Sequence, residues 1–323
     1  MDTDVLCLGE SMALFVPAEP GPVAEVRTWL RTVGGAESNV ACNLAMLGLR
    51  SAWVSAVGAD AFGEAVVAAV AAKGVDVSGV LVDPLRPTGL YVKESSASGS
   101  PVRYYRRGSA ASGMGPSVVE NLRLDGVRVV HATGINAALS DSCLALMHRL
   151  AEEPRTTHRL SFDLNWRPKL WLDRDPAILR DLANAADVVF VGDDEADLVW
   201  GTSDPAKIRE ILPDPATLVV KHGERGATLI EDDQSLFVPA FTVDVVEPVG
   251  AGDAFAAGFL YATLAGLTPL QRLRSGHLQA AVALLTHDDV GTPLPAEVVT
   301  GLLAADPDTW AATHLTDQGV RLP

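Results

Sequence analysis

The chain is short of several things, and each shortage closes off a class of function. Basic residues are few: 25 Lys and Arg stand against 41 Asp and Glu, for a net charge of −16. A phosphate backbone wants a basic stripe, so a nucleic-acid partner is not expected. The acidity reads as a solvated exterior, and an anionic substrate is compatible with it only where a few arginines converge. Cysteine is scarce too. Cys7, Cys42 and Cys143 lie far apart in apolar surroundings without CxxC spacing, which predicts buried thiols and neither a disulfide framework nor a zinc site. No window approaches 18 uninterrupted apolar residues, so no membrane span is expected. The opening "MDTDVLCLGE" carries acids where a signal peptide needs bases, and a cytoplasmic location is expected. There is no internal repeat, coiled coil or low-complexity tract. No G-x-x-x-x-G-K-[ST] loop occurs, and no G-x-G-x-x-G follows a strand, so a dinucleotide oxidoreductase has nothing to rest on.

What remains is ordinary globular material, 48% hydrophobic and 20% charged over 323 residues, enough to bury a sizeable core. Short apolar runs at 5–9, 52–58, 127–134, 160–165, 187–192 and 217–223 read as buried strands. Helix-like segments lie between them, among them Asn39–Leu47, Ala61–Lys73, Asp141–Ala151, Pro176–Asn184 and Asp193–Trp200. This alternation predicts an α/β fold with a mostly parallel central sheet flanked by helices on both faces. Two stretches break the rhythm. Residues 12–33 and 87–107 alternate polar and apolar around Pro, Gly and Ser, and read as hairpins, with "SASGS" as a loop tip. They are either edge decoration or one small β-sheet lid over a site. The C-terminal "AATHLTDQGVRLP" reads as a surface tail.

Two segments carry chemistry. In "VEPVGAGDAFAAGF", Gly250, Ala251 and Gly252 precede Asp253 at the mouth of an apolar run. A helix starting at or just after Asp253 leaves several backbone N–H groups bare, a ready site for a phosphate. Asp253 is then placed to take a proton from a hydroxyl nucleophile. A lone Gly-x-Gly-Asp fits an ordinary aspartate N-cap as well. In "VGGAESNVACNLAMLG", Gly34 and Gly35 allow close approach of a ligand, while Glu37 and Asn39 offer hydrogen bonds to hydroxyls. A tight turn with a cap would use the same residues.

Together, the GG-x-x-x-N segment and the GAGD segment resemble the two signatures of the PfkB (ribokinase-like) carbohydrate kinases, and the similarity runs from "CLGE" to the helix after "GAGDAFAAGF". Within that family "GGAESNVA", "GLYVKE", "YYRRGSAAS", "GINAALS" and "DLNWRPKLW" look most like 2-keto-3-deoxygluconate kinases. The resemblance implies a single ribokinase-like α/β domain over 1–323 with lid segments near 12–33 and 87–107. It implies an ATP-dependent kinase acting on the terminal hydroxyl of a sugar acid. By the same resemblance, Gly34, Gly35, Ala36, Glu37, Ser38 and Asn39 face substrate, and Tyr91, Tyr104 and Arg106 are lid contacts. A guanidinium at Arg106 suits a carboxylate. Asn165, Arg167, Lys221, Gly223 and Gly226 match nucleotide positions. Gly250, Ala251 and Gly252 match an anion hole that also meets the nucleotide, Asp253 the catalytic base, and Arg167 a group that neutralises transferring charge.

The resemblance also implies Mg²⁺ and a monovalent cation such as K⁺, while the free edges of an exposed lid sheet lead to the expectation of a homodimer formed through the lid. This sequence departs from the pattern in two places. Glu247-Pro248-Val249 replaces the Asp-Thr linked to the monovalent cation, and Gly192-Asp193-Asp194-Glu195 replaces N-x-x-E, leaving Glu195 to reach Mg²⁺ through water. The last substrate-facing acid falls on Asp288, with Asp289 its alternative. Two rivals stay open: a PfkB kinase for fructose or another ketose or sugar acid, and a non-catalytic sugar-binding protein on the same fold.

Overall fold

The computed structural model describes residues 3–19, 21–93, 102–316 and 318–321; the "SASGS" tip lies outside them. In chain order the strands are β1 (Val5–Leu8), β2 (Met12–Pro17), β3 (Trp29–Gly34), β4 (Ser51–Gly58), β5 (Val80–Asp83), β6 (Leu90–Lys93), β7 (Val102–Tyr105) and β8 (Val129–Thr133). They continue as β9 (Arg159–Asp163), β10 (Val188–Gly192), β11 (Thr217–Lys221), β12 (Ala227–Glu231), β13 (Gln234–Val238), β14 (Thr242–Val243), β15 (His314–Thr316) and β16 (Gly319–Arg321).

The main sheet runs β13-β12-β11-β10-β9-β8-β1-β4-β5. Pairing is parallel from β11 through β5 and antiparallel only where β11, β12 and β13 form consecutive hairpins. All six sequence-predicted strands lie in the parallel part. Their continuous apolar runs follow from burial on both faces. Alternate residues feed two cores. Leu6, Leu8, Val130, Phe162 and Val189 pack on one side, and Val5, Cys7, Val129, Val188 and Phe190 on the other. Phe190 meets Phe255 and Phe259 of the helix Ala251–Leu264 edge to face, with ring centroids 6.5 and 5.5 Å apart, contacts worth about 0.5–1.5 kcal/mol each beyond their buried area.

The chain leaves β1 toward β4 and β5, then returns to β8 and proceeds the other way to β13. The order therefore reverses between β1 and β8, and in open parallel sheets ligands bind outside the carboxyl ends of strands at such a point. Over that end lies a separate four-stranded sheet, β3-β2-β6-β7, in which the two segments that broke the rhythm join through parallel pairing of β2 with β6. The lid is one sheet.

The C-terminal segment is not a tail. β15 and β16 form a hairpin against β14, and Leu315 is completely buried in the core. Among the described residues no helix is long and apolar enough to cross a membrane.

Candidate active site

Two adjoining hollows open at the carboxyl end of the main sheet. The first, about 420 Å³, lies under the lid and is lined by Gly34, Gly35, Ala36, Asn39, Tyr91, Tyr104, Arg106, Asn165, Arg167 and Asp253, among others. The second, about 740 Å³, is lined by Gly223, Gly226, Ala251, Phe255, His277 and Leu284 among others. Lys221, Pro248 and Gly252 border both. Most residues that match sugar contacts thus face the first hollow, those that match nucleotide contacts divide between the two, and the GAGD segment stands at the junction.

The helix at that junction begins at Ala251, two residues earlier than the sequence predicts, with Gly250 as its N-cap. Gly250 has φ +86°, and a Cβ there would lie 2.6 Å from the Asp289 carbonyl oxygen. Glycine is required on both counts. Asp253 therefore sits inside the first turn and does not cap the helix. Its Oδ2 accepts from Asn39 Nδ2 at 2.9 Å and its Oδ1 from Asn165 Nδ2 at 3.4 Å. Two amides thus orient the carboxylate without neutralising it. Burial, reinforced by the charge of Asp163 and only partly opposed by the Asn39 hydrogen bond, raises its pKa to about 7. A carboxylate with a pKa in that range can accept a proton near neutral pH.

Asn165 itself holds φ +43°, a left-handed conformation that asparagine tolerates, and its Oδ1 is buried without a partner. Asp163, at the end of β9, accepts from Lys221 Nζ at 2.7 Å. Burial alone would lower the Lys221 ammonium, but Asp163 and Glu195 outweigh it and hold the pKa above its usual value. Lys221 is thus a standing positive charge between the two hollows. Arg167 reaches the rim of the first hollow with its side chain 46% exposed.

On the lid side Tyr91 is buried and stacks on Tyr104, centroids 5.4 Å apart, while the Arg106 guanidinium lies 5.5 Å from the Tyr104 ring centre. Arg106 is ion-paired with the buried carboxylate of Glu10, its Nε donating to Oε2 at 2.6 Å, and Ser109 donates to the other oxygen of Glu10. Glu10 lies two residues past the end of β1. A carboxylate just past a parallel strand is the signal that would have found it, as it would have found Asp163.

Three expected substrate contacts are placed otherwise. Glu37 points away from the cavity: Thr133 Oγ1 and Asn136 Nδ2 donate to its Oε1 at 2.6 and 3.2 Å, and its carboxyl occupies the space a side chain at Gly9 would need. Burial raises its pKa to about 7. Ser38 is held by Ser11 and by the Gly35 carbonyl, and faces a third, smaller hollow. Asp288 is exposed and accepts from Thr32 at 3.4 Å, whereas Asp289 is buried in the first hollow, where Asn39 and Tyr91 donate to its Oδ2 at 3.5 and 3.3 Å. The side chain of Asp289, not Asp288, faces the site.

Among the described residues no group of three or more His, Cys, Asp or Glu could cage a metal ion. Both oxygens of Glu195 accept from backbone, Oε1 from Trp166 N and Oε2 from Gly192 N, each at 2.9 Å. Burial raises its pKa in spite of the opposing positive charges of Lys221 and Arg167. Such a carboxylate fits a hydrated divalent cation approached through water, not one bound directly. Glu247 Oε2 lies 3.4 Å from the ammonium of Lys93, a residue that neither sequence signature marks.

The model of the pfkB family of carbohydrate kinases matches residues 2–297. The 2-dehydro-3-deoxygluconokinase of Bacillus subtilis (strain 168) is 36% identical over 313 residues, 94% of this chain and 97% of that protein. The protein of the same name from Thermoproteus tenax is 35% identical, covering 91% and 92%. Among solved structures, a PfkB protein from Polaromonas sp. JS666 superposes with a TM-score of 0.82 at 35% identity, covering 94% of this chain and 100% of that one. This chain belongs to the pfkB family of carbohydrate kinases and is an ATP-dependent sugar kinase.

Proposed function

We propose that the protein phosphorylates 2-keto-3-deoxygluconate, transferring the γ-phosphoryl group of ATP to the terminal hydroxyl of that sugar acid. The observation that carries this reading is the position of Asp253 at the junction of the two hollows, with a buried guanidinium, Arg106, across the first of them. The two relatives named above support the choice of sugar acid.

In this mechanism the sugar acid lies in the first hollow under Tyr91 and Tyr104, its carboxylate toward Arg106 and its terminal hydroxyl toward Asp253. Asp253 takes the hydroxyl proton, and the oxygen attacks the γ-phosphorus of ATP, whose base and ribose occupy the second hollow by Gly223 and Gly226; the bond from that phosphorus to the β,γ-bridging oxygen breaks and ADP leaves. The N–H groups of Gly250, Ala251 and Gly252, with the helix dipole behind them, receive the charge on the transferring phosphoryl oxygens. Lys221 and Arg167 add positive charge on either side, and Asn165 orients Asp253. Glu195 would hold Mg²⁺ through water, and the ion would supply positive charge that neutralises the phosphates. Lid closure excludes competing water. The K⁺ expectation is not carried into this reading, because Glu247 is already ion-paired with Lys93.

Three buried free thiols fit a reducing compartment, and we place the protein in the cytoplasm. The lid leaves Leu30 and Tyr105 62% and 61% exposed and has open strand edges, which supports a dimer through the lid; a monomer by light scattering at micromolar concentration contradicts it. The substrate assignment is tested by coupled ADP release with MgATP across 2-keto-3-deoxygluconate, 2-keto-3-deoxygalactonate, gluconate, fructose, ribose and adenosine. Strong preference for the keto-deoxy acids is expected. Turnover with fructose alone overturns the assignment and leaves Asp253 in place.

A further inference from the structure

Strand β6 buries two side chains on one face, Tyr91 and Lys93, at the period of two that a strand imposes. Lys93 is 4% exposed, and a lysine is rarely taken so far from water unless its charge is paired. Its Nζ lies 3.4 Å from Glu247 Oε2 and 3.7 Å from Asp289 Oδ1, at ion-pair distance from both yet in hydrogen-bond geometry with neither. Both carboxylates belong to the loops that shape Gly250. Glu247 stands three residues before it and accepts from Val249 N at 3.4 Å. The backbone of Asp289 packs directly against it, and the Asp289 side chain touches Asn39, the residue that orients Asp253. A single ammonium from the lid thus reaches the loop that opens the anion-binding helix and the neighbours of the catalytic carboxylate. Without it, Glu247 and Asp289 would be two buried like charges facing the same space, a repulsive arrangement.

We propose that Lys93 is a positioning residue for phosphoryl transfer: its ammonium, carried in by the lid strand, clamps Glu247 and Asp289 so that the Gly250–Gly252 amides and Asp253 converge on one point. The proposal rests on reading that loop as the anion hole. It gives the lid a part in assembling the catalytic site as well as covering it, and it assigns Glu247 the task of holding a cation that the chain itself supplies.

The test compares the full-length wild type with K93M, K93R and K93A, at saturating MgATP and with whichever acceptor the wild type phosphorylates best. The wild-type panel therefore judges the substrate assignment separately. K93M is expected to lose kcat by a factor on the order of 10 to 100, as sub-ångström misplacement of reacting groups does, with the KM for ATP unchanged within about threefold. K93R should recover most of the loss. K93A should be accelerated several-fold by added ammonium or methylammonium salts that leave the wild type unmoved. A K93M rate within about twofold of wild type overturns the proposal. So does a slow K93M accompanied by an equally slow K93R and a K93A deaf to amines, which would make Lys93 mere packing. If the lysine variants fail to fold, E247Q carries the test: a folded E247Q with the wild-type kcat overturns the clamp, and a reduced kcat at unchanged KM for ATP supports it.

Discussion

At the scale of single residues, the proposed mechanism turns on Asp253, a half-buried carboxylate oriented by two amides. Asp253 is held near a pKa of about 7 against the ordinary aspartate value of 3.8. As a base it must be ionised, so kcat at saturating substrates should rise with pH through about 7 and then level off. A kcat independent of pH between about 5.5 and 8.5, with chemistry rate-limiting, contradicts the assignment. The same shift has a stability consequence. A folded-state pKa raised above the unfolded value means the folded protein holds its proton longer. The contribution is favourable below pH 3.8 and is lost as pH rises through about 7. Asp253→Asn removes that penalty, so its stabilising effect should be near zero at pH 4 and reach roughly 2–4 kcal/mol at pH 8, read from denaturant midpoints. Residues of this kind were only partly legible. Asp253, Asn39 and Arg106 could be found because their motifs are local. Asp288 and Asp289 are adjacent on an irregular loop, and only the packing of that loop on Gly250 decides which one faces inward. Glu37 read as a ligand, but the missing side chain at Gly9 gives it a place inside the core. Neither signature marks Lys93, since the carboxylates that permit its burial, Glu247 and Asp289, lie far along the chain.

At the scale of elements, the six parallel strands were legible because burial on both faces writes a continuous apolar run. The C-terminal strands were not, being three residues each in polar sequence and placed by the pairing of β15 with β14 and of β16 with β15. The helix Ala251–Leu264 starts early because the left-handed Gly250 lets the first turn close before Asp253. Its small residues also serve packing. A Cβ on Gly258 would lie 2.3 Å from the carbonyl oxygen of Ser275 in the neighbouring helix Pro269–Leu284, a backbone atom that cannot yield cheaply. Gly258→Ala should therefore lower stability by about 2 kcal/mol or more, in the range of overpacked cores. Gly301, exposed within the helix Ala296–Ala304, offers the opposite case, with open space where an alanine methyl would sit. Gly301→Ala should gain about 0.5–1 kcal/mol. Thermal melts of both variants check the pair, and equal shifts would show that close helix packing is not what Gly258 provides.

At the scale of the whole molecule, the sheet reversal between β1 and β8 and the lid above it bring together residues from both ends of the chain. Arg106, just past lid strand β7, is paired with Glu10, just past core strand β1, so this ion pair spans the two sheets. Arg106→Ala should raise KM for acidic sugars at least tenfold more than for neutral ones, about the worth of one desolvated charged hydrogen bond. Equal effects on both would make Arg106 a strut between sheets instead of a reader of carboxylates. The decisive comparison is Asp253→Asn against wild type, with turnover and ATP binding measured on the same preparation. The expected result is a kcat reduced by about 10³-fold or more, with the dissociation constant for ATP changed less than about threefold. Substantial turnover by a folded Asp253→Asn protein would remove the base from the mechanism and contradict the reading of this site.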